Sequence, residues 1–252
     1  MADESLNATV SARRDLTDRL AVVRVAPRDW ELPAFHAGQC ATLGLPDPEG
    51  AGKFLRRVYS VASAPGADHL EFYIQLVREG QFTTRLWHQH EGDPIFLSPR
   101  LTGRFTLEHV PDGADLVFFG TGTGLAPYVS MLRAHRGSGR WRRCAVVHGA
   151  RTQSELGYRP ELQHWCAEDE DLAYVPTLTR EAWTGARGRV QDLLQRGELE
   201  ERAGFAMDPS RCHVFLCGHP GMIDEMEKLL QPRGFHLKQG EQPGNLHFER
   251  YW

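Results

Sequence analysis

Several short stretches of the 252-residue sequence combine residue types suited to holding an anion or a flat ring. In Gly120-Thr121-Gly122-Thr123-Gly124 the glycines let backbone N–H groups approach a phosphate closely, at the positive end of a following helix. No Gly-Lys-Ser/Thr follows, and the spacing departs from Gly-x-Gly-x-x-Gly, so neither common phosphate fingerprint applies. The same turn also suits a tight strand-to-helix connection. In Arg57-Val58-Tyr59-Ser60 a guanidinium suits a pyrophosphate, an aromatic ring suits stacking on a heteroaromatic, and a hydroxyl suits a ring nitrogen. That trio is what a flavin nucleotide requires, although an ordinary strand with an exposed arginine and a core tyrosine reads the same way. Gly80-Gln81-Phe82-Thr83 offers a second group of N–H donors, with Thr83 as the expected cap of a short helix over 83–90 ended by Gly92. Cys217-Gly218-His219-Pro220 closes another apolar run; with no His and acid arranged beside it, Cys217 is not read as a nucleophile.

These stretches need elements to position them, and the apolar rhythm supplies two kinds. From Asn7 to about Leu107 short alternating runs recur between turns: Ala21, Val23 and Val25, then Leu70, Phe72, Ile74 and Leu76. This is the pattern of a small antiparallel barrel or sandwich. After about Val110 continuous apolar runs at 116–119, 144–148, 172–178 and 213–217 alternate with helical patterns at 127–136, 161–166, 190–196 and 221–230. That alternation predicts a doubly wound parallel sheet. The expected domains are 1–110 and 111–252, joined near Pro111-Asp112-Gly113.

In such a sheet Ala150-Arg151, Thr179-Arg180 and Arg189 fall where strand ends meet a ligand. Guanidinium forks suit a 2'-phosphate, whereas a ribose diol would call for an acid, so NADP is expected rather than NAD. Solvated surface arginines are the plain alternative.

Taken in order, Arg57-Val58-Tyr59-Ser60, Gly80 to Thr84, Gly120 to Pro127, Cys217 to Pro220 and the aromatic pair Tyr251-Trp252 resemble the ferredoxin-NADP reductase family, most of all its bacterial ferredoxin or flavodoxin reductases. The resemblance runs over nearly the whole sequence. It implies an FAD-binding antiparallel β-barrel followed by an NADP-binding parallel-sheet domain, with hydride passing between NADPH and flavin N5 and single electrons going to a separate ferredoxin or flavodoxin. Carried over by position, it implies that Arg57 holds the FAD phosphates, that Tyr59 stacks on the flavin and that Ser60 lies near N5. Val58, Tyr73, Gln81, Phe82, Thr83 and Thr123 would line the rest of FAD. Ala150, Arg151, Thr179, Arg180, Arg189 and Cys217 to Pro220 would serve NADP, while Ser60, Cys217 and Glu249 would tune the reacting geometry. Tyr251 would cover the flavin face that nicotinamide approaches, and Trp252 would pack toward the adenine. An NADPH-dependent flavin reductase or oxidase, or a non-catalytic nucleotide sensor, remains open.

The composition excludes other classes. With 29 Lys and Arg against 33 Asp and Glu, the net charge of −4 gives no bulk field for a nucleic acid. The five cysteines contain no Cys-x-x-Cys pair, so neither a disulfide framework nor an iron-sulfur ligand set is expected, and His88-Gln89-His90 lacks the spacing of a helical metal pair. No apolar run reaches the ~18 residues of a membrane span. The expectation is a cytoplasmic protein with no metal site and no membrane contact; the sequence does not set the oligomeric state, with a monomer favoured.

Overall fold

The computed structural model describes residues 6–47, 50, 53–239 and 243–251, so Trp252 lies outside the described residues. The chain divides into two compact units, Met1–Thr106 with Val129–Ala134, and Leu107–Tyr128 with His135–Trp252.

The first unit carries β1 (Ala8–Thr17), β2 (Leu20–Pro27), β3 (Cys40–Pro46), β4 (Phe54–Ser60), β5 (Leu70–Gln75), α1 (Gln81–Leu86) and β6 (Pro94–Leu97). The strands form one antiparallel sheet in the order β4-β3-β6-β1-β2-β5. A bridge between Val61 and Phe72 brings its two end strands together, which curls the sheet into a barrel. Alternation fills the inside: Ala21, Val23 and Val25 of β2 meet Leu70, Phe72 and Ile74 of β5 and Leu43 of β3 in one core. The opposite face of β5 is not simply solvated. Glu71 is only 2% exposed, with its carboxylate held by Arg24 Nε across the β2–β5 ladder and by Arg133 Nη1, each at 2.8 Å. A buried carboxylate is tolerable when paired in this way.

The expected cap on α1 differs. Gly80, not Thr83, is the N-cap, and the helix ends at Leu86, well before Gly92. The Thr83 hydroxyl is occupied by the preceding turn, donating to Val77 O and accepting from Val77 N–H at 3.0 Å each. Its side chain thereby closes the turn from inside the helix.

The second unit carries β7 (Ala114–Thr121), a 3-10 turn (Gly122–Leu125), β8 (Trp141–Ala150), α3 (Arg159–Glu168), β9 (Leu172–Leu178), β10 (Ala186–Arg187), α4 (Val190–Gln195), α5 (Glu198–Ala203), β11 (Cys212–Gly218), α6 (Pro220–Leu230) and β12 (Leu246–Arg250). Helix α2 (Ala126–His135) follows the 3-10 turn. The sheet is parallel throughout, in the order β10-β9-β8-β7-β11-β12. Its central strands are buried on both faces, which is why they read as unbroken apolar runs. Met222, Ile223, Met226 and Leu230 of α6 and Val190, Leu193 and Leu194 of α4 recur at helical spacing and pack onto Val117, Val147 and Val214 of the sheet.

Candidate active site

In the first unit the Arg57–Ser60 stretch occupies β4, at the end of the sheet. Just beyond it, Val61 N–H donates to Gln39 O at 3.0 Å and Ala62 N–H to Glu71 O at 2.7 Å. By strand alternation the amides of Val58 and Ser60 therefore turn away from β3, toward the outer side of the edge strand. Arg57 and Val58 are exposed, and Val58 at 61% is an unusual apolar residue to leave in water. A guanidinium, an apolar side chain and outward-facing amides along one strand fit an amphipathic ring with a charged tail, so the residues present fit FAD. Tyr59 is half-buried, its ring 5.9 Å from Phe82 and 6.4 Å from Phe72. Burial pushes its phenol well above the usual range, with Arg57 pulling weakly the other way, so the ring is neutral. Ser60 is buried with its hydroxyl 3.7 Å from Cys40 Sγ. Of the remaining expected flavin positions, Tyr73, Phe82 and Thr83 are buried and Gln81 is exposed. Thr123 belongs to the second unit and is half-buried.

In the second unit the two glycine turns meet at the carboxyl ends of β7 and β11. This is the switch point of the sheet, where the chain runs outward on both sides and ligands collect. His219 N–H donates to Thr121 Oγ1 at 3.0 Å. The approach is so close that a Cβ on Gly218, whose φ is +128°, would lie 2.3 Å from Thr121 Oγ1, and one on Gly124 would lie 2.3 Å from Cys217 O. Glycine is obligatory at both places, and the two turns meeting at the strand ends form the kind of cradle a pyrophosphate needs. Beside it the Cys217 thiol donates to Glu249 Oε2 at 4.0 Å, since β12 sets Glu249 opposite Cys217. Tyr251 N–H donates to Gly218 O at 3.3 Å and its hydroxyl to Thr123 O at 3.4 Å. His219 opens α6 by accepting from Gly221 N–H, with Pro220 in the first turn.

The β8–β9 ladder extends past both strands: Thr179 N–H donates to Ala150 O at 3.1 Å and Arg180 N–H to Arg151 O at 2.9 Å. Ala150-Arg151 is thus set beside Thr179-Arg180. Arg180 and Arg189 are exposed, and neither forms an ion pair among the described residues. Arg151 differs, because its Nε donates to Glu155 Oε2 at 3.0 Å. Below the glycine turns, His148 is fully buried; burial lowers its imidazole to about 4, so it stays neutral, with Nδ1 3.1 Å from Tyr174 Oη.

Several contributors escaped the sequence. Thr121 ties the two turns and Glu155 claims Arg151, while Arg187, exposed on β10 one residue from Gly188-Arg189, adds a cation the strand pattern had hidden. In the basic stretch Arg140-Trp141-Arg142-Arg143, Arg140 is held by Asp112 at 2.8 Å, Arg142 by Asp115 at 2.6 Å and Arg143 by Asp171 at 3.3 Å. That run is internally neutralised.

An antiparallel barrel unit, and a parallel-sheet unit whose glycine turns meet at its switch point, are the two parts found in one class of nucleotide-dependent oxidoreductases. A family model described as an oxidoreductase NAD-binding domain matches residues 118–228. The ferredoxin–NADP reductase of Azotobacter vinelandii is 36% identical over 229 residues, covering 86% of each chain. The flavodoxin/ferredoxin–NADP reductase of Escherichia coli (strain K12) is 34% identical over 221 residues, covering 86% of this chain and 88% of that one. Among solved structures, a ferredoxin NADP+ reductase from Neisseria gonorrhoeae with bound FAD and NADP superposes with a TM-score of 0.88, at 27% identity over 96% of this chain and 97% of that one. The chain belongs to the ferredoxin/flavodoxin–NADP reductase family.

Proposed function

We propose that this chain binds FAD on residues 1–110 and NADP on residues 111–252, and exchanges electrons between NADPH and a separate ferredoxin or flavodoxin. The observation that carries this reading is the pair of interlocked glycine turns at the sheet's switch point, with the uncommitted Arg180 and Arg189 beyond the neighbouring strand ends. FAD held by these residues would supply the redox chemistry that links a two-electron nicotinamide donor to a one-electron carrier. The protein supplies orientation and charge. Arg57 neutralises the FAD pyrophosphate, Tyr59 offers its ring for stacking, and Ser60 aims a hydroxyl at the ring nitrogen. Arg180 and Arg189 select the 2'-phosphate, and Arg151, fixed by Glu155, flanks them. Cys217 and Glu249 shape the nicotinamide position through their mutual contact, which fixes near-attack geometry without forming a bond to substrate. Tyr251, anchored at both its N–H and its hydroxyl, limits nicotinamide access.

The test compares NADPH-driven turnover with ferredoxin, flavodoxin and free flavin as acceptors. Faster turnover with either carrier protein supports the reading. Preference for free flavin or oxygen would replace it with a flavin reductase or oxidase of the same architecture, and failure of NADPH to reduce bound flavin would make the protein a nucleotide sensor.

A further inference from the structure

His148 sits on β8 in register with Gly120 of β7. Paired residues of neighbouring strands share a face of the sheet, and on that face a Cβ added to Gly120 would lie 3.3 Å from Gly124 O and from Leu125 N. The 3-10 turn therefore rests on this face, over the bare Gly120 and beside the His148 ring. On its other flank the ring meets β9, where Tyr174 lies diagonally across the β8–β9 ladder with Oη 3.1 Å from Nδ1. The imidazole thus spans the gap between two strands. Nδ1 turns to β9, which leaves Nε2 turned to β7 and the turn that follows it. Nε2 is buried and has no hydrogen-bond partner among the described residues. The group it faces is Gly122: burial, the main influence, lowers the ring to about 4, and the Gly122 backbone pulls more weakly upward. Only an acceptor favours a protonated imidazole, so the Gly122 group concerned is its carbonyl.

We infer that His148 is a positioning residue for the nucleotide cradle, with Nε2–H aimed at the Gly122 carbonyl so that the glycine turn closes onto the imidazole when a dinucleotide phosphate seats there. The inference rests on the proposed placement of NADP at these turns. A neutral imidazole carries one donor and one acceptor. With a carbonyl before Nε2 the hydrogen belongs on that nitrogen, because a bare Nε2 would set two acceptors against each other. Nδ1 then accepts from the Tyr174 hydroxyl, and the contact at each nitrogen fixes the tautomer at the other. A phenol oxygen keeps lone pairs for further donors, so the arrangement does not need Tyr174 to serve His148 alone. A buried donor that lacks an acceptor costs the folded chain its desolvation. Nucleotide binding that draws the Gly122 carbonyl into reach removes that cost, so affinity and turn geometry are coupled through this ring.

The test uses the FAD-loaded full chain as wild type, His148→Gln and His148→Asn. The Gln amide extends to the level of Nε2 and offers an N–H there, whereas the shorter Asn amide stops at the level of Nδ1. Three quantities are read: the His148 ring nitrogens by long-range proton–nitrogen NMR with and without saturating NADP+, the NADP+ dissociation constant by titration, and thermal unfolding without nucleotide. The wild-type ring is expected to carry its hydrogen on Nε2 throughout, with that hydrogen shifting downfield and exchanging more slowly once NADP+ is added. His148→Asn should bind NADP+ about 3- to 10-fold more weakly, the worth of one ordinary hydrogen bond, and raise KM for NADPH while keeping kcat. His148→Gln should recover most of the affinity. A hydrogen on Nδ1, an Nε2–H signal that bound NADP+ leaves unmoved, or wild-type affinity in His148→Asn would overturn the inference. Equal losses in both variants that track their unfolding temperatures would overturn it too, by reducing His148 to packing. A wild-type protein that binds no NADP+ would instead overturn the reading of function on which the inference rests.

Discussion

The two units build their parts of the site in opposite ways. In the first, Arg57, Val58, Tyr59 and Ser60 are consecutive on one edge strand, and strand alternation alone distributes them. In the second, the residues proposed for NADP, Thr121 to Gly124, Ala150-Arg151, Thr179-Arg180, Arg189, Cys217 to Pro220 and Glu249 to Tyr251, come from separate segments that follow the ends of parallel strands along one edge of the sheet. They also differ in what they bury. Each unit buries a carboxylate between two arginines, Glu71 with Arg24 and Arg133 and Asp115 with Arg142 and Arg211, but the sheet unit also encloses uncharged imidazoles, the buried His148 and the half-buried His247. A local motif tolerates disturbance elsewhere; a site gathered from distant strand ends depends on the whole sheet staying in register.

The sharpest way to separate the units is acid. Burial lowers His148 to about 4, and burial helped by His213 and His109 lowers His247 to about 4, against 6.5 for a free imidazole. Protons then bind the unfolded chain more readily, so this stabilisation is complete above pH 6.5 and is lost as the pH falls toward 4. Each imidazole is worth about 3 kcal/mol over that window. Hydrogen exchange at pH 7 and pH 4.5 should show β8, β11 and β12 losing protection before β2 and β5; simultaneous loss would erase the contrast. A smaller effect comes from crowding. Gly218→Ala combines a positive φ with a 2.3 Å clash and should cost about 3 kcal/mol, whereas Gly66→Ala, at positive φ with open space around it, should cost about 1 kcal/mol by thermal unfolding. Equal costs would mean that the approach of the two turns is not tight.

Smaller still are the ligand effects. Arg180→Ala and Arg189→Ala should each weaken NADPH binding about 10-fold and NADH binding hardly at all, as read by titration; equal losses for both nucleotides would remove that arginine from the 2'-phosphate. Tyr251→Ala, which leaves the β12 pairing intact, should change NADP affinity about threefold without altering the barrel unit's exchange protection. No change in affinity would reduce Tyr251 to simple packing.

This contrast also governs how much the sequence discloses. Alternation in 70–76 and the unbroken run at 172–178 become β5 and β9, because period and burial are local properties. The Arg57–Ser60 stretch is legible for the same reason. Glu71 looks like a solvent-facing member of an alternating strand; its burial requires Arg133, 62 positions away. Strand β12 is hidden because its single neighbour, β11, lies some thirty residues earlier, and a short strand gains its stability from pairing. Helix α5 left a signal, a Glu-rich segment bracketed by Gly197 and Gly204, both left-handed, but it carries only one buried side chain, Leu199. Thr83 misleads because a hydroxyl that caps a helix and one that closes the preceding turn have the same composition around them.

The central claim is that this one chain holds an FAD that NADPH reduces. An absorption spectrum of the purified protein, recorded without oxygen before and after a stoichiometric addition of NADPH, tests it most directly. The account predicts a flavin band near the visible blue that bleaches on addition and returns when oxidised ferredoxin or flavodoxin is supplied. A colourless protein that takes up no FAD, or a flavin band that NADPH leaves unchanged, would contradict it.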